Sequence, residues 1–283
     1  MTYAPPSLLQ APAKLNLTLD VLSRRPDGYH ELDMLNLRVT LFDTLEFSPS
    51  PKTQIEYIGM PSPPNDTVRL AISHYAGLAG KPFGAKVRIH KRIPAEAGLG
   101  GGSADAAAVL LALQRAYRAL DDAALHETAC RVGADVPYCL HDLPCRVRGI
   151  GEKLELLAIP PDPLWFLIVK PAAGISTTAL FSSLTAPLPH PPTDAAQAAL
   201  LRGDKTALGA LLKNALEPAA TALLPEIGTL RARLIRLGAY GAAMTGSGSA
   251  VFGLFETEAA ARAAAKSFAD AAFVSICRSM PPA

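Results

Sequence analysis

The chain has 283 residues, with 27 Lys and Arg against 25 Asp and Glu and a net charge of +2 at pH 7. That balance, with no long basic run, excludes a protein that follows a nucleic-acid backbone or coats an anionic membrane. A hydrophobic content of 49% with 18% charged residues fits a soluble globular protein with room for one large domain or two packed ones.

The amino-terminal "MTYAPPSLLQAPAK" lacks both a cationic start and a continuous apolar stretch, so no export signal is expected. No apolar run reaches the ~18 residues that membrane anchoring needs. From Lys14, "KLNLTLDVL" alternates strictly, which predicts a half-buried strand with Lys14, Asn16, Thr18 and Asp20 on its open face. A Pro26-Asp27-Gly28 turn follows, and "MLNLRVTLFDTLEF" resumes the alternation, predicting an antiparallel partner. "TVRLAISHYAGLAG" has helical spacing ending on Gly80, and "AKVRIHKRIP" reads as a strand leading into a glycine-rich turn.

Beyond that turn, an alanine-rich helix is expected, then a short helix over Leu125–Val132 stopped by Gly133, the loop "ADVP", and two strands in "CRVRGIGEKLELL". "IPPDP", Ile159 to Pro163, neither propagates a helix nor donates to a ladder, so it is the candidate boundary between domains 1–160 and 161–283. The second half opens on a buried strand, "LWFLIVKP". It continues through the proline-dense loop "SLTAPLPHPPTD", three helical stretches, a second glycine loop "TGSGS", the strand "AVFGLF" and a closing helix. Cys130, Cys139, Cys145 and Cys277 lack C-x-x-C pairing and are too few for a disulfide framework, which fits a reduced, cytoplasmic setting. These thiols, with His126 and His141, read as buried or incidental residues rather than a metal site.

The order strand, glycine turn, helix sets the amides of Gly98 to Ala104 at a helix amino terminus, where unpaired N–H groups and the dipole favour a phosphate. The spacing lacks the G-K-[ST] ending of a P-loop, and Ser103 stands where a G-x-G-x-x-G fingerprint needs glycine. Ser103 is open to two readings: helix N-cap, or contact with phosphate or metal. Asp135 is either an Asx-turn residue or a general base fixed between Gly133 and Pro137. Lys14 is either a solvated lysine or a cation that offsets developing phosphate charge.

Taken in order, "PAKLNLTLDVLSRRPDGYHEL", "IPAEAGLGGGSADAA", "GADVP", "RGIGE", "NALEPAA" and "MTGSGSAVFG" resemble the GHMP small-molecule kinases, from Ala11 to Phe255. The likeness is to the branch that phosphorylates the C2 hydroxyl of a cytidine-diphosphate-linked methylerythritol. The resemblance implies an α+β GHMP kinase fold, with a kinase domain and a ferredoxin-like domain meeting at the active-site cleft, and ATP and Mg2+ as cofactors. It implies a nucleotide loop of Pro94, Ala95, Glu96, Ala97, Gly98, Leu99, Gly100, Gly101, Gly102, Ser103 and Ala104, with the Ser103 hydroxyl a candidate magnesium contact.

By the same resemblance Lys14 and Asp135 are the catalytic pair, and Asn16, Tyr29, His30, Phe181, Gly246 and Ser247 meet the substrate. Tyr29 would stack on cytosine, His30 would bond its polar edge, and Phe181 is either the opposite stacking face or a core residue. Three positions depart from the pattern: Glu96 among the phosphate-loop residues, Asp66 near a usual adenine-contacting Asn, and Ala215 where Asp is frequent. A homoserine- or mevalonate-type GHMP kinase, or a silent nucleotide-binding protein on the same fold, are the alternatives; the partner is a small molecule and the chain a monomer or weak homodimer.

Overall fold

The computed structural model describes residues 7–81, 84–184 and 188–281. It opens with strands β1 (Ser7–Arg24), β2 (His30–Ser50) and β3 (Gln54–Ile58), helix α1 (Thr67–Leu78) and β4 (Gly84–His90). Then come α2 (Gly101–Tyr117), α3 (Asp122–Val132), α4 (Val136–Cys139), β5 (Cys145–Gly149), β6 (Lys153–Leu156) and β7 (Trp165–Lys170). The remainder is α5 (Thr177–Ser182), α6 (Thr193–Arg202), α7 (Lys205–Leu211), β8 (Lys213–Asn214), α8 (Glu217–Leu223) and α9 (Glu226–Arg236). It closes with β9 (Gly241–Met244), β10 (Val251–Phe255), α10 (Glu258–Ala265) and β11 (Phe273–Arg278).

Two compact units result. One holds the described residues through Ala13, Leu41–Ile93 and Gly100–His141. In it β4 runs antiparallel to β2, Thr44 opposite His90, and parallel to β3. Helix α1 starts where Asp66 accepts from the Arg69 amide at 3.0 Å, and it buries Val68, Ala71, Ile72 and Tyr75, spaced to share one face. That face meets α2, whose buried side is half alanine and therefore admits close packing, and Tyr75 Oη donates to Gln114 Oε1 at 2.9 Å. Helix α3 is capped by Asp121 and stops at Gly133. The segment expected as the loop "ADVP" instead turns into the four-residue α4, because Pro137 fits the first helical turn.

The other unit holds Lys14–Thr40, Pro94–Leu99 and Asp142 onward. Its sheet has the order β11-β7-β10-β9, antiparallel throughout, with α9 and α10 packed on it and Phe166 edge-on to Phe252 at 5.8 Å. Strand β5 pairs antiparallel with both β2 and β6, and β8 pairs parallel with β1 at Thr18 and Leu19. Four helices follow the proline-dense loop rather than three, since Leu212 leaves helical geometry and β8 intervenes. Strand β11 had no expectation in the sequence, and residues 185–187 of the proline-dense loop lie outside the described residues.

Strand β1 corrects one expectation. It is buried on both faces from Ala11 to Val21, with Lys14 only 3% and Asn16 0% exposed. Lys14 and Asn16 survive there because they bond to one another and Asn16 bonds onward to Gly246 and Asn36, whereas the Thr18 hydroxyl is buried without a partner. Cys130, Cys139, Cys145 and Cys277 are free thiols, and among the described residues no helix is long and apolar enough to cross a membrane.

Candidate active site

A hydrogen-bonded hub forms on β1. Lys14 Nζ donates to Asn16 Oδ1 at 2.6 Å, and the same oxygen accepts from the Gly246 amide at 2.8 Å and from Thr245 Oγ1 at 3.3 Å. Asn16 Nδ2 donates to Asn36 Oδ1 at 2.7 Å, so the whole amide group is engaged by protein. The Lys14 amide in turn donates to Leu99 O at 3.0 Å, which ties β1 to the glycine-rich segment. A buried ammonium is tolerated only with such partners.

Two glycine loops lie back to back in this unit. A Cβ on Gly98 would overlap Thr245 O, and one on Gly246 would stand 2.8 Å from Gly98 O. Both residues have positive φ, 70° and 55°, so glycine is required twice over. The Ser249 amide donates to Glu96 O at 3.0 Å, the Ala250 amide to Ala97 O at 3.3 Å, and Asn214 Nδ2 braces Met244 O and Gly246 O. The glycines of "TGSGS" thus have a packing reason of their own beside any ligand contact, and Ser247 Oγ shares a 2.7 Å hydrogen bond with Thr177 Oγ1.

In the other unit, α2 begins at Gly101, with Gly100 as a left-handed N-cap, φ 68°, that offers no side-chain acceptor. Ser103 therefore sits inside the first turn, and the N-cap reading of Ser103 is corrected. An uncapped first turn keeps the amides of Gly101, Gly102 and Ser103 without helical carbonyls, which is the physical basis of an anion cradle. Lys91 lies beside it: its Nζ would be 3.3 Å from a Cβ on Gly101. Lys91 pairs with Asp43 and, at 2.7 Å, with Asp105, while Asp43 also accepts from the Arg92 and Ile93 amides. Burial works against the Lys91 charge, yet the two carboxylates outweigh it and raise its pKa. Asp105 moves up as well, through burial first and then the Asp43 charge, with Lys91 pulling the other way. This buried triad escaped the sequence reading, since its members lie on three separated segments with no shared motif.

Asp135, in the same unit, is the N-cap of α4 with its side chain uninvolved in capping and its surface partly exposed.

The substrate candidates at the β1–β2 turn are held differently. Asp27 Oδ1 accepts from the Tyr29 amide at 3.1 Å, Gly28 takes φ 88°, and the Tyr29 ring is 60% exposed. His30 begins β2, and its ring lies 4.9 Å from that of Phe181 on α5, tilted by 34°. Burial, helped by the positive charge of Arg24, lowers the His30 pKa, so the ring is neutral at pH 7.

Of the three departures from the pattern, Asp66 is committed to local structure: besides capping α1 it accepts from Tyr57 Oη at 2.8 Å. Ala215 is fully buried with its amide on Leu19 O at 2.8 Å. Glu96 has φ 49°, a left-handed conformation that costs a non-glycine residue about 1–2 kcal/mol, and its side chain runs along Gly174.

Two family models match this sequence, GHMP kinases N terminal domain over residues 66–142 and GHMP kinases C terminal over residues 196–274. The chain is 41% identical over 265 residues to the 4-diphosphocytidyl-2-C-methyl-D-erythritol kinase of Pelotomaculum thermopropionicum, covering 90% of this chain and 92% of that one. It is 40% identical over 271 residues to the enzyme of the same name from Citrifermentans bemidjiense, covering 93% and 94%. The crystal structure of a 4-(cytidine 5'-diphospho)-2C-methyl-D-erythritol kinase superimposes with a TM-score of 0.83 at 38% identity, covering 98% of this chain and all of that one. Homoserine kinase from Cytophaga hutchinsonii shares the fold at a TM-score of 0.74 and 20% identity, covering 98% of this chain and 95% of that one. With its α+β architecture and this breadth of likeness, the chain belongs to the GHMP kinases and, among them, to the family of 4-diphosphocytidyl-2-C-methyl-D-erythritol kinases.

Proposed function

We propose that this kinase transfers the γ-phosphoryl group of ATP to the C2 hydroxyl of 4-diphosphocytidyl-2-C-methyl-D-erythritol in the non-mevalonate route to isoprenoid precursors. The observation that carries the reading is Lys14, an ammonium kept 3% exposed on a strand that also anchors Leu99 of the glycine-rich segment. An ammonium fixed beside that segment is placed to meet the negative charge that develops on a transferring phosphoryl group.

In this reading Asp135 accepts the proton of the C2 hydroxyl as its oxygen bonds to phosphorus, while the bond to the β-phosphate bridging oxygen breaks and ADP leaves. Lys14 stabilises the equatorial charge and the developing alkoxide. Asn16, with its amide spent on Lys14, Gly246 and Asn36, acts chiefly by holding them, and meets substrate at most through its edge. The Pro94–Ala104 backbone wraps the phosphates, with the open amides of α2 as the strongest donors. A magnesium ion would take the Ser103 hydroxyl, in the uncapped first turn of α2, as the chain's ligand beside phosphate and water oxygens, a donor set magnesium accepts. When bound, magnesium neutralises phosphate charge.

Tyr29 stacks on cytosine, neutral His30 bonds its edge from its place against Phe181, and Gly246 and Ser247 line the substrate's path. A bare alcohol gives such a reader nothing to hold. Along the chain we read a nucleotide-side domain of residues 1–160 and a carboxy-terminal domain of residues 161–283, with the two family matches on either side of that division, although Lys14–Thr40, Pro94–Leu99 and the residues from Asp142 pack in one compact unit with the carboxy-terminal half. The setting is cytoplasmic.

The test is phosphorus NMR of the product. C2 carries a methyl group and no hydrogen, so a new phosphomonoester resonance without coupling to a carbinol hydrogen is expected. A doublet, a triplet or free phosphate alone overturns the assignment.

A further inference from the structure

Glu96 is strained, acidic and within a phosphate loop, and nothing in the reaction uses its carboxylate. Its side chain leads away from the loop onto the bare Cα of Gly174, where an added Cβ would overlap Glu96 Oε2 and stand 2.7 Å from Glu96 Cβ. Gly174 belongs to the segment that links β7 to α5. Lys170, at the end of β7, is buried and donates to Pro171 O at 3.2 Å and Ala173 O at 3.3 Å, bracing the same segment. Burial lowers the Lys170 pKa, and the Glu96 charge acts on it in the opposite sense. Ser249 completes the junction, donating Oγ–H to Ala173 O at 2.6 Å and its amide to Glu96 O.

We propose that Glu96 is a positioning residue that fastens the glycine-rich loop to the Pro171–Ser176 segment and thereby sets α5, with Phe181 against His30, for the cytidine moiety. The inference rests on the proposed function, in which Phe181 and His30 border the cytosine. A left-handed glutamate is kept because its side chain reaches a neighbour that a glycine there would not. Gly174 is its complement: the segment passes close only because it lacks a Cβ.

The experiment is calorimetric titration with cytidine 5'-diphosphate, beside KM values for ATP and for the cytidylyl substrate, in wild type, Glu96→Gly, Gly174→Ala and the double variant. Each single variant is expected to weaken cytidine diphosphate about tenfold, to raise the cytidylyl KM by a similar factor, and to change the ATP KM several-fold less. The double variant is expected to be no worse than either single one, since both break one contact. Glu96→Gly is also expected to melt no lower than wild type, because it relieves the backbone. Unchanged cytidine diphosphate affinity in the single variants, or fully additive losses, overturns the inference while leaving the proposed function standing. A wild type that binds no cytidine diphosphate overturns that reading and this inference with it.

Discussion

Two regions of the same unit are built on opposite principles. Around Lys14 and Asn16 the polar groups are buried and joined to two glycine loops, with both ends of the Asn16 amide engaged by protein. At Tyr29, His30 and Phe181 the rings are exposed or half-exposed, positioned by one Asx turn and one ring contact. In the proposed function the difference separates two tasks. Charge stabilisation gains from a site that does not reorganise, whereas a base reader must admit and release a flat heterocycle.

Breaking the first region should cost most. Lys14→Met is expected to lower kcat about a thousandfold, and Asp135→Ala by a similar factor, with affinity for a non-hydrolysable ATP analogue within a few-fold of wild type by titration. A kcat near normal in either variant removes that residue from its role. Asn16→Ala should instead unfold more easily, by about 3 kcal/mol in urea denaturation, because it removes the buried acceptor shared by the Lys14 ammonium and the Gly246 amide. A loss below about 0.5 kcal/mol, the range of ordinary surface changes, would show that the hub is not a structural unit.

Breaking the second region should leave stability alone. Tyr29→Ala is expected to raise the cytidylyl KM about tenfold by loss of stacking, with the ATP KM little altered in the same steady-state assay. The smallest effect concerns pH. Burial depresses the His30 pKa below its usual 6.5, so native stability from this group is complete above pH 6.5 and falls as pH drops through the lowered folded value. The cytidylyl KM of wild type should accordingly stay level down to about pH 6.5 and rise only at more acid pH, while that of His30→Gln stays level throughout. Identical pH profiles would detach His30 from recognition.

Much of the frame was legible in the sequence. Strict alternation marked β1, the Pro-Asp-Gly turn marked its exit, and the glycine run marked the start of α2. What alternation does not carry is burial of the polar face: Lys14 and Asn16 are hidden because Asn36, Thr245 and Gly246, distant in sequence, supply their bonds. Ser103 resembled an N-cap by composition, but the cap lies three residues earlier at a left-handed Gly100, a backbone choice that residue type alone does not reveal. Asp66 looked like a displaced ligand and proved to be a helix cap. Strand β11 is short, edge-placed and interrupted by Ser275, and it owes its conformation to pairing with β7. The reason for Glu96 lay in Gly174, nearly 80 positions away and visible only once the two chain segments touch.

The central claim is the acceptor itself. An assay of ADP release run side by side with 4-diphosphocytidyl-2-C-methyl-D-erythritol, homoserine and mevalonate tests it most directly. Turnover of the cytidylyl substrate is expected with kcat/KM at least about a hundredfold above the other two, since of the three only it carries a base for the Tyr29, His30 and Phe181 region to hold. Absence of turnover with that substrate, or faster release with either small alcohol, would contradict it.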